Sequence, residues 1–178
     1  MRTLHALLVP LLLAAASLSS AVPEIQECKG QKTISKYIGK DRNVLAEVTH
    51  CDGIPVTSEA ALLPRQSNVC GANCNTNCFT PSGGGPDPNE CHVIADALLY
   101  DSQNIGALFT LDPTQNTSKI TMSYRSCETF ILNQDTEVLT YCRTDWSALV
   151  DSLAFNCQST QNAHGGNCVA TDQRWFVQ

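Results

Sequence analysis

Asp87-Pro88-Asn89-Glu90-Cys91-His92-Val93-Ile94-Ala95-Asp96-Ala97-Leu98 is followed downstream by Lys119-Ile120-Thr121-Met122-Ser123-Tyr124-Arg125, and the change of period between these stretches decides the fold. In the first, Asp87 supplies an N-cap, Pro88 suits the first helical position and Glu90 gives a capping-box pattern. Cys91, Ile94, Ala95 and Leu98 recur at helical spacing, which predicts a helix from about Pro88 to Ser102. In the second, Ile120, Met122 and Tyr124 alternate with polar residues, which predicts a half-buried strand.

Working outward, the spacing predicts further strands at Ala107–Leu111, Cys127–Leu132, Val138–Cys142 and Cys168–Val177. It also predicts a second helix, capped by Thr144, with Trp146, Leu149, Val150 and Leu153 on its apolar side. Turn residues at Asp112–Asn116 and Asn133–Asp135 make neighbouring strands expected hairpin partners. The expected fold is α+β, a disulfide-rich antiparallel β-sheet flanked by α-helices.

The chain has 178 residues, of which 43% are hydrophobic and 16% charged, with ten cysteines and a formal charge of −6. That composition excludes a largely disordered chain, and the negative charge argues against nucleic acid as a partner. Met1-Arg2, the apolar run Leu7–Ala16 and Ser19-Ser20-Ala21 form a secretory signal pattern over residues 1–21. The run is too short to span a membrane.

A secreted chain passes through an oxidising compartment. Cys28, Cys51, Cys70, Cys74, Cys78, Cys91, Cys127, Cys142, Cys157 and Cys168 are therefore expected to be disulfide-bonded, with Cys28 and Cys51 as one pair if residues 22–65 stay attached and the other connections open. The competing reading is a zinc site at Cys70-x3-Cys74-x3-Cys78, with His92 nearby. It requires reduced thiolates, so no metal and no cofactor are expected.

Residues 22–65 hold six basic and six acidic side chains, whereas residues 66–178 hold four and eleven. This shift separates an N-terminal extension or propeptide (22–65) from a main domain (66–178). The junction Leu62-Leu63-Pro64-Arg65-Gln66 is either an exposed linker or a processing site. Asn116-Thr117-Ser118 is a glycosylation sequon at an expected turn.

No G-x-S-x-G elbow or H-E-x-x-H motif is present in the sequence. The carboxylate pairs Asp96/Asp101 and Asp145/Asp151 leave a small glycoside hydrolase as one alternative, and a cysteine-rich secreted toxin or effector is another. The leading reading is non-catalytic sugar binding. It starts from Thr160-Gln161-Asn162-Ala163-His164-Gly165-Gly166-Asn167, a polar, glycine-containing loop between two cysteines. Gln161, Asn162 and His164 offer hydrogen bonds to sugar hydroxyls. Trp146 or Trp175 could supply the ring beneath a sugar, though both also fit a core and Trp146 lies on the apolar stripe of the second helix; the face around Tyr124 and Trp175 is the next candidate surface.

The segments Cys70-Gly71-Ala72-x-Cys74, Thr76-Asn77-Cys78, Ser82 to Ala97, Tyr141-Cys142-Arg143-Thr144-Asp145-Trp146, Gln161 to Cys168 and Arg174-Trp175-Phe176-Val177 resemble the Y3-like glycan-binding proteins of mushrooms. The resemblance covers residues 66–178 and implies a fungal lectin domain with an α/β sandwich. It further implies a homodimer joined by sheet edges and affinity for fucosylated or GalNAc-containing glycans. Residues 22–65 depart from this pattern, and if they cover a sheet edge they bear directly on the dimer.

Overall fold

The computed structural model describes residues 31–51, 66–80, 84–160 and 164–178. The leader pattern, Cys28, the junction near Arg65, Gln161 and Asn162 lie outside the described residues, as does the expected bond between Cys28 and Cys51.

Ten strands and two helices follow one another: β1 (Gln31–Ile38), β2 (Val44–Cys51), β3 (Gln66–Asn68), β4 (Cys74–Cys78), α1 (Pro88–Asn104), β5 (Leu108–Leu111), β6 (Lys119–Tyr124), β7 (Cys127–Asn133), β8 (Val138–Cys142), α2 (Arg143–Leu153), β9 (Gly166–Ala170) and β10 (Trp175–Val177). A short 3₁₀ turn, Pro113–Gln115, separates β5 from β6, and a π turn, Ala154–Thr160, extends α2. The large sheet runs β1-β2-β6-β7-β10-β9-β4 with every neighbouring pair antiparallel, and a small sheet runs β3-β8-β5. Among the described residues the fold is α+β, mostly antiparallel β-sheet with two helices and four disulfides.

Helix α1 begins as its sequence predicts: Asp87 Oδ1 accepts from Asn89 N at 2.9 Å and Pro88 occupies the first turn. Glu90 does not close a capping box. It accepts from the Ser126 N–H at 2.9 Å and from its hydroxyl, and Ser126 Oγ accepts from Asp87 N at 3.0 Å. The helix start is thus bound to the β6–β7 turn. Those hydrogen bonds from Ser126 hold the Glu90 carboxyl below its ordinary range.

Helix α2 starts two residues earlier than expected, with Cys142 in the cap position and no side-chain cap. Thr144 lies inside the helix. Asp145, in the first turn, accepts from Gly71 N. Ser147 Oγ donates to Ala95 O at 2.9 Å where α2 meets α1, and small Ala95 and Ser147 let the two backbones approach.

The expected hairpins need correction. Neither strand pair flanking the predicted turns is a hairpin; β6 pairs with β7 across a turn closed by Arg125 at φ 51°. The turns at 112–116 and 133–135 instead carry the chain from one sheet to the other. Asn133 explains how that crossing is held: its buried Nδ2 donates to Leu111 O (3.0 Å) and Glu137 O (2.8 Å), and its Oδ1 accepts from Asp135 N (2.8 Å). One amide on large-sheet strand β7 therefore satisfies backbone groups of the small sheet and of the turn that leads to it. The single strand expected over 168–177 is likewise two, β9 and β10, paired at Phe176↔Val169.

Residues 31–51, placed by charge in an extension, add β1 and β2 to the large sheet. β2 pairs with β6 from Leu45↔Ser123 to Val48↔Ile120. Ile38, Val44 and Ala46 are buried, so this segment contributes to the core. At the hairpin turn Gly39 has φ +83° and lies so close to α1 that a Cβ would stand 2.7 Å from Ala97 Cβ. Its N–H donates to buried Asp101 at 3.3 Å. Glycine supplies both the dihedral and the clearance.

The core gathers Ile94 and Leu98 from α1, Trp146 and Val150 from α2, Ile131 from β7, Leu139 and Tyr141 from β8, and Trp175 and Val177 from β10. Full burial of such side chains contributes on the order of 1.5–3 kcal/mol each. Burial pushes the Tyr141 phenol up, keeping it neutral. Among the described residues no helix is long and apolar enough to cross a membrane.

Candidate functional site

Cys74 and Cys78 are four residues apart on β4 and so leave the strand on one face. Cys74 bonds to Cys168 and Cys78 to Cys157, while Cys70 bonds to Cys142 and Cys91 to Cys127. The three sulfurs of the zinc alternative thus go to three different partners as disulfides. The same holds for the cluster of Cys70, Cys142 and Asp145, whose sulfurs are bonded to each other and offer no thiolate.

The polar loop between Cys157 and Cys168 is consequently tied to β4 at both ends. The β4–β9 ladder continues past Cys78↔Gly166: Phe79 N donates to Gly165 O at 2.9 Å and His164 N to Phe79 O at 3.3 Å. Gly165 supplies a φ of +116°. Gly166 supplies space, since a Cβ there would lie 2.6 Å from Asn77 O and 2.7 Å from Cys157 Sγ. The glycine pair therefore fixes a close approach and is not a hinge.

Beside this approach opens a cleft of about 340 Å³. Phe79, Pro86, Val150 and Leu153 give it apolar walls, and Ser126, Glu128, His164 and Gln178 give it polar ones. Five chain segments meet there, joined beneath by Cys78–Cys157 and Cys91–Cys127. An apolar surface ringed by a few donors and acceptors suits a ligand that has one hydrocarbon face and many hydroxyls.

Of the residues named from the sequence, His164 lines this cleft and is exposed. Trp175 does not present its ring to solvent: it is fully buried, 4.8 Å between centroids from Tyr141. Its place on β10, opposite Asn133, directs it into the core. Tyr124 packs against the core at the end of β6, with the Arg125 guanidinium 5.1 Å from its ring centroid, and does not line the cleft. Trp146 is fully buried, as its helical stripe implies, and its Nε1 donates to Thr129 Oγ1 at 3.2 Å. Asn116 ends the 3₁₀ turn at φ 58°, half-buried.

The sequence reading missed Phe79, Glu128 and Ser126. Phe79 follows Cys78 directly, so knowledge that Cys78 joins Cys157 would have placed an aromatic ring beside the polar loop. The carboxylate pairs proposed from spacing are divided between structural tasks. Asp101 accepts from Gly39 and Asp145 from Gly71. Asp151 accepts from His92 Nδ1 at 3.0 Å, and Asp96 lies 3.7 Å from His92 Nε2.

The chain matches no protein-family model, no curated protein and no solved structure.

Proposed function

We propose that the chain is a secreted glycan-binding protein that acts by recognition without catalysis, and that the cleft beside His164 is its sugar site. The observation that carries this reading is the meeting of an aromatic ring, Phe79, with His164, Glu128 and Ser126 around one cleft. Four disulfides and the leader pattern fit a secreted protein. The sequence resemblance to the Y3-like proteins supports a lectin, an α/β sandwich and a preference for fucosylated or GalNAc-containing glycans. Phe79 takes the stacking role first given to Trp175, and Gln161 and Asn162 stay proposed sugar contacts on the strength of the loop's sequence alone.

For a homodimer joined through the large sheet, β1 and β4 are the outer strands among the described residues, because β2 occupies the edge of β6. The sequon at Asn116 is the proposed glycosylation site.

A glycan array on the secreted protein identifies the sugar, and calorimetric titration of Phe79→Ala and His164→Ala then tests the cleft. Each variant is expected to lose about five- to 150-fold in affinity while its melting temperature stays close to that of the parent. No bound glycan on the array, or unchanged affinity in both variants, overturns the reading.

A further inference from the structure

A second cavity, of about 160 Å³, lies behind the β1–β2 hairpin. It shares no lining residue with the cleft. The inward side of β1, β2 and β6 supplies Ile38, Ala46, Val48 and Met122, and Trp146 and Phe109 are also in its walls. The volume is close to that of an engineered apolar cavity, about 150 Å³, that takes up benzene.

Three charged side chains join these apolar walls: Lys36, Arg143 and Asp101. Two cations face one anion, so the lining carries a net positive charge in a chain whose formal charge is −6. Asp101 is engaged by the Gly39 N–H. Arg143 Nη1 donates to Gly106 O and Leu108 O, and its guanidinium lies 5.3 Å from the Phe109 ring centroid. Neither Lys36 nor Arg143 forms an ion pair among the described residues. The Arg143 guanidinium is half-buried, its direct hydrogen bonds go to neutral carbonyls, and Asp101 compensates its charge only through space, so an anion that bonds it directly relieves its desolvation further.

We propose that this cavity binds a small apolar carboxylate, with the hydrocarbon part among Ile38, Val48, Met122 and Trp146 and the carboxylate on Lys36 and Arg143. The requirement is chemical: a body about the size of a benzene ring and one negative charge at its end. A neutral molecule of the same shape fills the space and leaves both cations unpaired.

Benzoate is the probe and benzyl alcohol its neutral counterpart, titrated into the secreted protein by calorimetry and by the fluorescence of Trp146. Benzoate is expected to bind saturably with a dissociation constant of about 1 mM or tighter, about tenfold more tightly than benzyl alcohol. Lys36→Gln, an exposed change that leaves the core intact, is expected to remove most of that difference. Ala46→Val fills part of the cavity with a residue suited to a strand and is expected to weaken both probes. Glycan affinity stays as in the parent in both variants. The proposal is overturned by absence of saturable benzoate binding up to about 10 mM, by equal affinity for the two probes, or by benzoate binding indifferent to both substitutions.

Discussion

The two tryptophans are equally buried and differently bonded. Trp146 Nε1 donates to Thr129 Oγ1, whose hydroxyl in turn donates to Gln178 O at 2.6 Å. Trp175 Nε1 is buried with no hydrogen-bond partner among the described residues. An unpaired buried donor costs roughly 1–3 kcal/mol, and removing one recovers part of the loss of packing. Trp175→Phe is therefore expected to be less destabilising than Trp146→Phe, by about 1 kcal/mol or more, in paired denaturant titrations. Equal losses, or the reverse order, would show that ring volume alone sets the cost. Trp175 shows how far composition misleads: a tryptophan near a polar loop suggests a sugar platform, yet alternation along β10 already directs it inward with Val177.

At the scale of elements, α1 and α2 are joined across their exposed side by His92 and Asp151. The hydrogen bond to Asp151 is the main cause that raises the His92 pKa above its ordinary value, with burial opposing it and the charges of Asp151 and Asp96 assisting. Since the folded value lies above the unfolded one, the contribution is full below about pH 6.5 and is lost as pH rises through the folded value. The pair is half exposed, with 51% of the His92 side chain accessible, so solvent screening keeps it within about 1 kcal/mol. His92→Gln is expected to lower the melting temperature at about pH 5.5 and to leave it nearly unchanged at about pH 8.5. A pH-independent difference would sink the assignment.

Elements with strong local chemistry were legible. Helix α1 carries its cap and proline in sequence, and β8 matched from Val138 to Cys142 because its residues are uniformly suited to burial. Strand β1 gave no alternation to read, since Lys32 through Tyr37 are all exposed. The cleft was half legible: the polar loop marked one wall, but the others depend on disulfide connections that spacing leaves open.

For the whole molecule, the bond between Cys74 and Cys168 encloses 94 residues of sequence separation. Under tension this bond acts as a mechanical short circuit. A chain held at Gln66 and Gln178 and pulled apart transmits force through Gln66–Cys74, across the sulfurs, and out through Cys168–Gln178, so both helices and most of the large sheet carry no load. Force spectroscopy of the oxidised protein is expected to show only a short extension. Adding a thiol reductant should then release roughly 310–340 Å of further contour length at 3.3–3.6 Å per residue. Release of that length without reductant would mean that the bond is not formed in the secreted protein. By the same circuit, a pull passed from one end of this span to the other would leave the cleft unstretched, because its lining from Phe79 to Gly166 lies inside the bypassed loop.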